Sequence, residues 1–404
     1  MNLPLLIAKR YFFSRKKKSF INIISIVAML GVMVGVMALV IVLSVFNGME
    51  DLQRGLFHSF DSDLRVTAIK GKNFDMKDVK LTDLQKLSQV KTVTQVIEEN
   101  ALLRYQDKRM VVNLKGVEDN FLAQSQLNKA IIDGRLKLRE DGRMFAIIGQ
   151  GVSYMLSISI ADFFTPIEAW YPHNTGVKAM NLMSDDAFNR LDIMPGGIFA
   201  IEQDYDYQYV IVPLSFAQNL FEYGTKRTAI EIQVSDYQQV ESIKKAIASL
   251  LGANFKIENR DEQHATLFRA IHIEKLFVFI TLAFIIAIAS FNIFFSLSML
   301  AIEKKEDVSV MLAMGATPVF IKKIFLFEGC LVAFIGAVLG LLLGYGLCFL
   351  QAQYGLVKMG TTSLLIDAYP IKTEFWDFFN TAIVVVVITL LASYFPAKKA
   401  VSIR

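Results

Sequence analysis

Hydrophobic positions gather into four long runs, one near the start of the chain and three near its end. They are Ile21–Phe46, Leu276–Leu300, Ile324–Leu350 and Phe378–Phe395. Each is close to the roughly 20 apolar residues an α-helix needs to cross about 30 Å of hydrocarbon. The pattern predicts an α-helical membrane protein with four transmembrane helices (1+3), at 21–46, 276–300, 324–350 and 375–396. Between the first and second helices lies a large α+β domain of two lobes, residues 47–275.

The insert changes period along its length. Asp63–Ile69 reads as a strand, Leu81–Val90 as a helix, and Thr94–Leu103 and Arg109–Gly116 as strands rich in β-branched residues. Later, Arg227–Val234, Asp236–Leu251 and Asn254–Glu258 repeat the order strand, helix, strand. These pieces predict one α/β lobe with a mixed sheet over about 63–120 and 224–260. A strand-rich lobe over about 121–223 interrupts it, with strands at Phe145–Ile148, Phe163–Trp170, Gly197–Ile201 and Tyr209–Pro213. Asp261–Leu276 is helical in pattern and runs into the second span without Gly or Pro, which predicts a rigid rod.

Charge orients these elements. Lys9, Arg10, Arg15, Lys16, Lys17 and Lys18 precede the first span, and Lys304, Lys305, Lys322 and Lys323 lie between the second and third. Lys398, Lys399 and Arg404 follow the fourth, whereas the 351–374 loop carries only Lys358 and Lys372. By the positive-inside rule the 1–20 segment, the 301–323 loop and the 397–404 tail are cytoplasmic, and the insert and the 351–374 loop are on the outer side. Leu3, Leu6, Ile7, Arg10 and Tyr11 fall at helical spacing, which reads either as an interfacial helix or as the charged flank of a span. The first run is too long for a signal-peptide core and no Ala-x-Ala site follows it, so it is expected to be a retained span. Cys330 and Cys348 share one predicted helix, about 27 Å apart, and cannot bridge within it.

Composition narrows the function. The chain has 404 residues, 54% of them hydrophobic, and a net charge of +4, a near balance that points away from nucleic acid. His58, His173, His264 and His272 are scattered, with no spacing suited to zinc. No G-x-S-x-G elbow and no G-x-x-x-x-G-K-[ST] phosphate loop occurs. Asp61/Asp63 and Asp204/Asp206 read as solvated turn carboxylates. The chain is therefore not expected to be an enzyme, and no cofactor is expected on it: ATP and Mg would be handled by a partner ATPase. Glu328 is the ionisable residue inside a predicted span, expected to pair with Lys322, Lys323 or a neighbouring helix. Gly329, Gly336, Gly340, Gly344 and Gly346, with Gly31 and Gly35 in the first span, form small-residue ladders for a close crossing, within the chain or between subunits.

The 301–323 loop carries the sharpest local signal. A charged stretch containing Glu303 and Glu306 leads into Val310, Met311, Leu312 and Met314, then Gly315, Ala316, Thr317 and Pro318. Gly315 is expected to end one short helix, and Thr317-Pro318 to begin the next as N-cap and first residue. Exposed Val, Met and Leu on such a helix suit a docking knob for a cytosolic partner; a plain hairpin loop is the other reading.

Through these stretches the chain resembles the permease subunits of lipoprotein-releasing ABC transporters, the LolC/LolE family, within a wider group of macrolide-exporter and cell-division permeases. The matching residues are Gly31–Gly48, ending L-S-V-x-N-G, Phe291–Ser298, Glu303–Pro318 and Tyr394–Ala400. The resemblance implies a bacterial inner-membrane protein with a periplasmic domain, acting by mechanotransmission. Its implied partners are a cytoplasmic ABC ATPase dimer, a second permease (homo- or heterodimer), lipoprotein substrates, a periplasmic lipoprotein carrier and membrane lipids. Val42, Val45, Phe46 and Asn47, at the outer end of the first span, would line the lipoprotein cavity. The region Tyr171–Ile193, longer than an ordinary hairpin loop, would supply a carrier hook through Pro172, Val177, Met180, Leu182 and Met183, although its residues depart from the family pattern. The alternatives are a cell-division-type signalling protein that activates a cell-wall hydrolase, and a macrolide or peptide efflux permease.

Overall fold

The computed structural model describes residues 3–13, 20–124, 127–162, 164–173, 187–359 and 368–402. It divides into two compact units, Met1–Leu52 with Leu267–Arg404, and Gln53–Thr266. The chain opens with helix α1 (Leu3–Phe13) and continues in the long α2 (Phe20–Phe60).

The Gln53–Thr266 unit follows. Its strands are β1 (Leu64–Ala68), β2 (Phe74–Asp75), β3 (Val90–Tyr105), β4 (Lys108–Val117), β5 (Ile131–Gly134), β6 (Arg139–Glu140) and β7 (Arg143–Gly149). Then come β8 (Ile167–Pro172), β9 (Phe188–Phe199), β10 (Tyr209–Pro213), β11 (Lys226–Arg227), β12 (Ala229–Val234) and β13 (Phe255–Asn259). Short helices join them: α3 (Leu81–Gln85), α4 (Asn120–Gln124), α5 (Leu127–Ala130), α6 (Gln150–Leu156), α7 (Gln203–Gln208), α8 (Leu214–Leu220), α9 (Val240–Leu251) and α10 (Arg260–Gln263).

Among the described residues one sheet of eleven strands serves both lobes, in the order β13-β1-β12-β3-β4-β10-β7-β9-β5, with β6 on β7 and β8 on β3 and β9 off this path. Most pairs are antiparallel, and β10 with β4 and β7 with β9 are parallel. Strand β8 pairs with both β3 and β9, so β3, β4, β10, β7, β9 and β8 close into a ring. The ring encloses a core that includes Leu103, Val112, Ile148, Ala169 and Ile193. A separate core lies under the β13-β1-β12 end, where Val240, Ile243 and Ile247 of α9 meet Val66, Ile230 and Ile232. Their spacing along α9 is that of one helix face. The lobe boundary expected at 120/121 therefore does not separate two sheets, because the first half of β3 pairs with β12 and its second half with β8.

Several element limits shift for local reasons. The helix expected over Leu81–Val90 ends at Gln85, and β3 already starts at Val90. The strand expected from Phe163 begins at Ile167, because the Asp162 carboxylate accepts the Phe164 and Thr165 N–H groups and holds a turn there. The rod expected from Asp261 is interrupted: α10 starts with an Asn259/Glu262 capping box and stops at His264, and the next helix begins at Ala265.

The remaining helices are α11 (Ala265–Glu303), α12 (Lys305–Ala313), α13 (Pro318–Tyr354) and α14 (Phe375–Ser402). With α2 they supply, among the described residues, four helices long and apolar enough to cross a membrane. Buried Ala28, Val32, Val36, Leu39 and Leu43 of α2 pack against Ile286, Ile293 and Leu297 of α11 and Val332 and Ala333 of α13. The glycine ladder of α13 is used within the chain: a Cβ on Gly336 or Gly340 would stand 2.7 or 2.6 Å from the Met29 or Met33 carbonyl oxygen of α2. Backbones approach this closely only where no side chain intervenes. Ser25 and Ser296 share a buried hydrogen bond of 2.6 Å between α2 and α11. The outward faces of α2, α11 and α13 present Val34, Phe277, Phe284 and Phe334, apolar surface suited to lipid tails of the same polarity.

Candidate functional site

The sharpest site is the elbow between α11 and α13. Gly315 takes φ +92°, a conformation that L side chains rarely adopt, and closes α12 as the Gly315 and Ala316 N–H groups donate to the Leu312 and Met311 carbonyls. Thr317 then caps α13 by accepting the Phe320 N–H at 3.3 Å, with Pro318 as its first residue. Glu306 and Asp307 occupy the first turn of α12, where carboxylates complement the helix dipole.

Helical phase sorts the apolar residues of this elbow. Val308 is buried and Met311 half-buried against Ile321, Ile324, Phe325, Ala301 and Ala397, with Ala8 and Tyr11 of α1 in the same cluster. Val310, Leu312 and Met314 are exposed, Met314 at 79%, as is Val319. Met311, expected on the docking face, thus points mainly inward, three residues from Val308 on the same side of the helix. Glu303 is exposed at the end of α11, and Ala316 half-buried. Helix α1 is part of this support: Lys304 lies 5.5 Å from the centroid of the Tyr11 ring and 3.6 Å from Asp307. Burial, with the carboxylates of Asp307 and Glu328 nearby, pushes the Tyr11 phenol up to about 12.

Glu328 is buried at the inner part of α13, and its Oε2 has no hydrogen-bond partner among the described residues. Lys322, one of its expected partners, instead sits 4.0 Å from the centroid of the Tyr394 ring. Among the described residues no group of three His, Cys, Asp or Glu side chains is arranged to hold a metal ion.

Past the middle of α2, which runs on to Phe60 rather than ending at Phe46, Val42, Val45 and Phe46 are half-buried and share a side of the helix apart from its packed stripe. Asn47 does not join them. It continues the buried stripe of Leu39 and Leu43, and its amide contacts Asp377 of α14 and Lys275 of α11. That three-helix contact was missed from sequence, although a polar residue ending an apolar run, followed by Gly48, was its visible signal. Of the hook residues, Pro172 ends β8 and pairs with Phe188 of β9. Val177, Met180, Leu182 and Met183 lie outside the described residues.

The FtsX-like permease C-terminal family matches residues 279–404, and the MacB-like periplasmic core domain family matches residues 25–161. LolE of Haemophilus influenzae, a lipoprotein-releasing system transmembrane protein, is 24% identical, the match covering 100% of this chain and 98% of that protein. LolC of Neisseria meningitidis serogroup B, which carries the same description, is 22% identical over 98% of this chain and 95% of that one. The periplasmic region of MacB from Actinobacillus actinomycetemcomitans superposes with a TM-score of 0.36 at 15% identity, covering 52% of this chain and 94% of that one.

Four apolar helices, a mixed α/β periplasmic core between the first and second, and an FtsX-like C-terminal part define an ABC transporter permease of the inner membrane. Within that class the chain is similar over its whole length to the lipoprotein-releasing LolC and LolE transmembrane proteins.

Proposed function

We propose that this permease converts ATP hydrolysis by a cytoplasmic ATPase dimer into extraction of lipoproteins from the inner membrane and their transfer to a periplasmic carrier. Both termini and the 301–323 loop are cytoplasmic in this reading, in keeping with the basic flanks of the spans. The observation that carries it is the α12–α13 elbow. Its inner side is fixed by Val308 and Met311, while Val310, Leu312, Met314 and Val319 stand exposed. A short helix braced from behind, with an apolar outer side, transmits a push without rearranging. Glu303, Glu306 and the Gly315–Pro318 turn frame the contact.

The ATPase closes on this elbow, and the spans pass the motion to the periplasmic domain. A lipid-anchored substrate lies along Val42, Val45 and Phe46, facing a second permease, and the β8–β9 hairpin receives the carrier. The chemistry of bond cleavage belongs to the ATPase alone.

The test is reconstitution. The permease, its ATPase and a second permease in proteoliposomes should release a triacylated lipoprotein to soluble carrier only when ATP and Mg are present. Crosslinkers at Val42, Val45 and Phe46 should capture that lipoprotein before ATP is added. Capture of a cell-wall hydrolase instead, with no lipoprotein adduct, would refute the reading.

A further inference from the structure

Three membrane helices, α2, α11 and α14, meet in one polar knot in their outer parts. The Asn47 amide nitrogen donates to Asp377 Oδ2 at 2.6 Å, and its Oδ1 accepts from the Lys275 ammonium at 2.5 Å. Lys275 and Asp377 are themselves 3.5 Å apart. Asn47 is 3% exposed, and both charged side chains are largely buried. Each polar atom of the Asn47 amide therefore has a partner on a different helix, and the two charges neutralise each other between them.

The chain around the knot is built to bring the backbones together. A Cβ on Gly48 would lie 2.2 Å from the Pro370 carbonyl oxygen, so only glycine admits the strand of chain that leads into α14. Two residues on from Pro370, the Lys372 N–H donates to the Ser44 carbonyl at 3.0 Å, and the Lys372 side chain pairs with Asp51. The outer end of α14 is thereby held against α2 from both sides of Asn47.

Helix α11 shows why the knot matters. Between Phe268 and Ile286 no residue of α11 is buried. Phe279 and Leu282 only lean on the bundle core. Apolar packing thus anchors the inner half of α11 and Phe268 near its outer end, and leaves the stretch 269–285 without a fully buried side chain. Lys275 lies within this stretch and ties it to Asn47 of α2 and Asp377 of α14. Charge-assisted hydrogen bonds in a half-buried setting are among the stronger single contacts a helix end can make.

We propose that Asn47, Lys275 and Asp377 are positioning residues of lipoprotein release: they hold α2, α11 and α14 at fixed spacing where the three helices meet. The side of α2 that carries Val42, Val45 and Phe46 then meets the lipid-anchored substrate as a rigid wall. This rests on the functional reading above. Without the knot the 269–285 stretch of α11 bows away from α2 and α14, and the push delivered at the cytoplasmic elbow goes into bending the helix instead of moving the substrate.

The test uses the complete transporter in proteoliposomes, with lipoprotein release and ATP hydrolysis measured together. Lys275→Met and Asp377→Ala should keep ATP hydrolysis but lower lipoprotein released per ATP about tenfold, in proportion to the loss of a hydrogen bond to a charged group. The exchange Lys275→Asp with Asp377→Lys should restore most of that ratio. Asn47→Ser, which strands neither charge in a new environment of its own, is the milder variant should the others fail to accumulate. A merely structural role would lower yield, hydrolysis and release together and leave the ratio unchanged, and that result would overturn the proposal. A second readout needs no substrate. Spin labels at exposed Ile273 and Phe375, in a chain with Cys330 and Cys348 replaced by alanine, should report one narrow distance that broadens with Lys275→Met. An unchanged distance would also overturn it. A wild-type transporter that releases no lipoprotein would sink the functional reading, with the label distances still deciding the fate of the knot.

Discussion

The ammonium of Lys115 lies 2.8 Å from Glu231 Oε1, and both side chains are almost wholly buried. Lys115 stands on β4 and Glu231 on β12, so the pair reaches across the whole width of β3. The Phe60 and Phe121 rings flank the ammonium, their centroids 4.5 and 4.9 Å away, and the second oxygen of Glu231 has no hydrogen-bond partner among the described residues. Removing one member leaves an uncompensated buried charge, at a cost of about 3–5 kcal/mol. Lys115→Met or Glu231→Leu alone should therefore lower the thermal midpoint of the purified chain sharply. The double variant should recover most of the loss, because two apolar side chains need no partner. A thermal-shift cycle over the four proteins measures this directly.

The elbow separates docking from support. Val310→Asp and Met314→Asp place a charge on the exposed side of α12 and its end, where it is solvated until the ATPase covers it; burial in an apolar groove then costs several kcal/mol, on the order of 2–7 for even a neutral polar group. ATPase co-purification should fall at least about tenfold with membrane insertion unchanged. Met311→Ala should instead loosen the packing against Ile321 and Phe325 and lower thermal stability. Equal co-purification of Met314→Asp and wild type would exclude this surface as the dock.

Two carboxyls of the periplasmic unit respond to pH in opposite senses. Burial pushes the Glu98 carboxyl up, but the charges of Arg65 and Lys115 and the hydrogen bonds from Arg65 and Tyr209 outweigh it and hold Glu98 at about 2. Its contribution to stability is complete above its ordinary value of 4.5 and is lost as pH falls from there through about 2. Asp206 is raised from 3.8 to about 6 by burial, against the pull of the Ile201 and Glu202 backbone contacts. Its folded form favours the proton, so stability is greatest below 3.8 and declines as pH rises through about 6. Glu98→Gln should flatten the acid limb of a stability–pH curve, and Asp206→Asn should flatten the decline between the two Asp206 values.

Glycines on α13 offer an internal control. Gly340→Leu forces a side chain into the Met33 carbonyl and Val36 of α2, where overpacking costs about 1–3 kcal/mol or more. Gly346 has nothing within 4 Å of its added Cβ. Gly346→Leu should be tolerated, and the two thermal midpoints compared in one detergent give the result.

The four spans were legible because a run such as Ile324–Leu350 has no soluble explanation, and the α9 face because Val240, Ile243 and Ile247 repeat at helical spacing. The closed ring was not. Its closure depends on which strands pair with the two halves of β3, a choice made by long-range register and not by any local pattern. Met311 was placed on the wrong side because the short α12 carries Val308, Val310, Met311 and Leu312 within five positions, too few turns for the period to single out a face. Asn47 was grouped with its neighbours Val45 and Phe46 by position, whereas the helix turns it toward α14.

Strand β3, a wall common to two cores, sets a rule for recombination between relatives. The strand-rich lobe looks, on a linear map, like a cassette to be exchanged at residues 121 and 223. A graft cut there would leave the donor without the Leu102–Arg104 edge on which β8 is zipped, and the recipient with an edge shaped for another β8. Viable chimeras should carry β3, β4 and the lobe together, so the unit of inheritance in this domain is the ring and not the insertion.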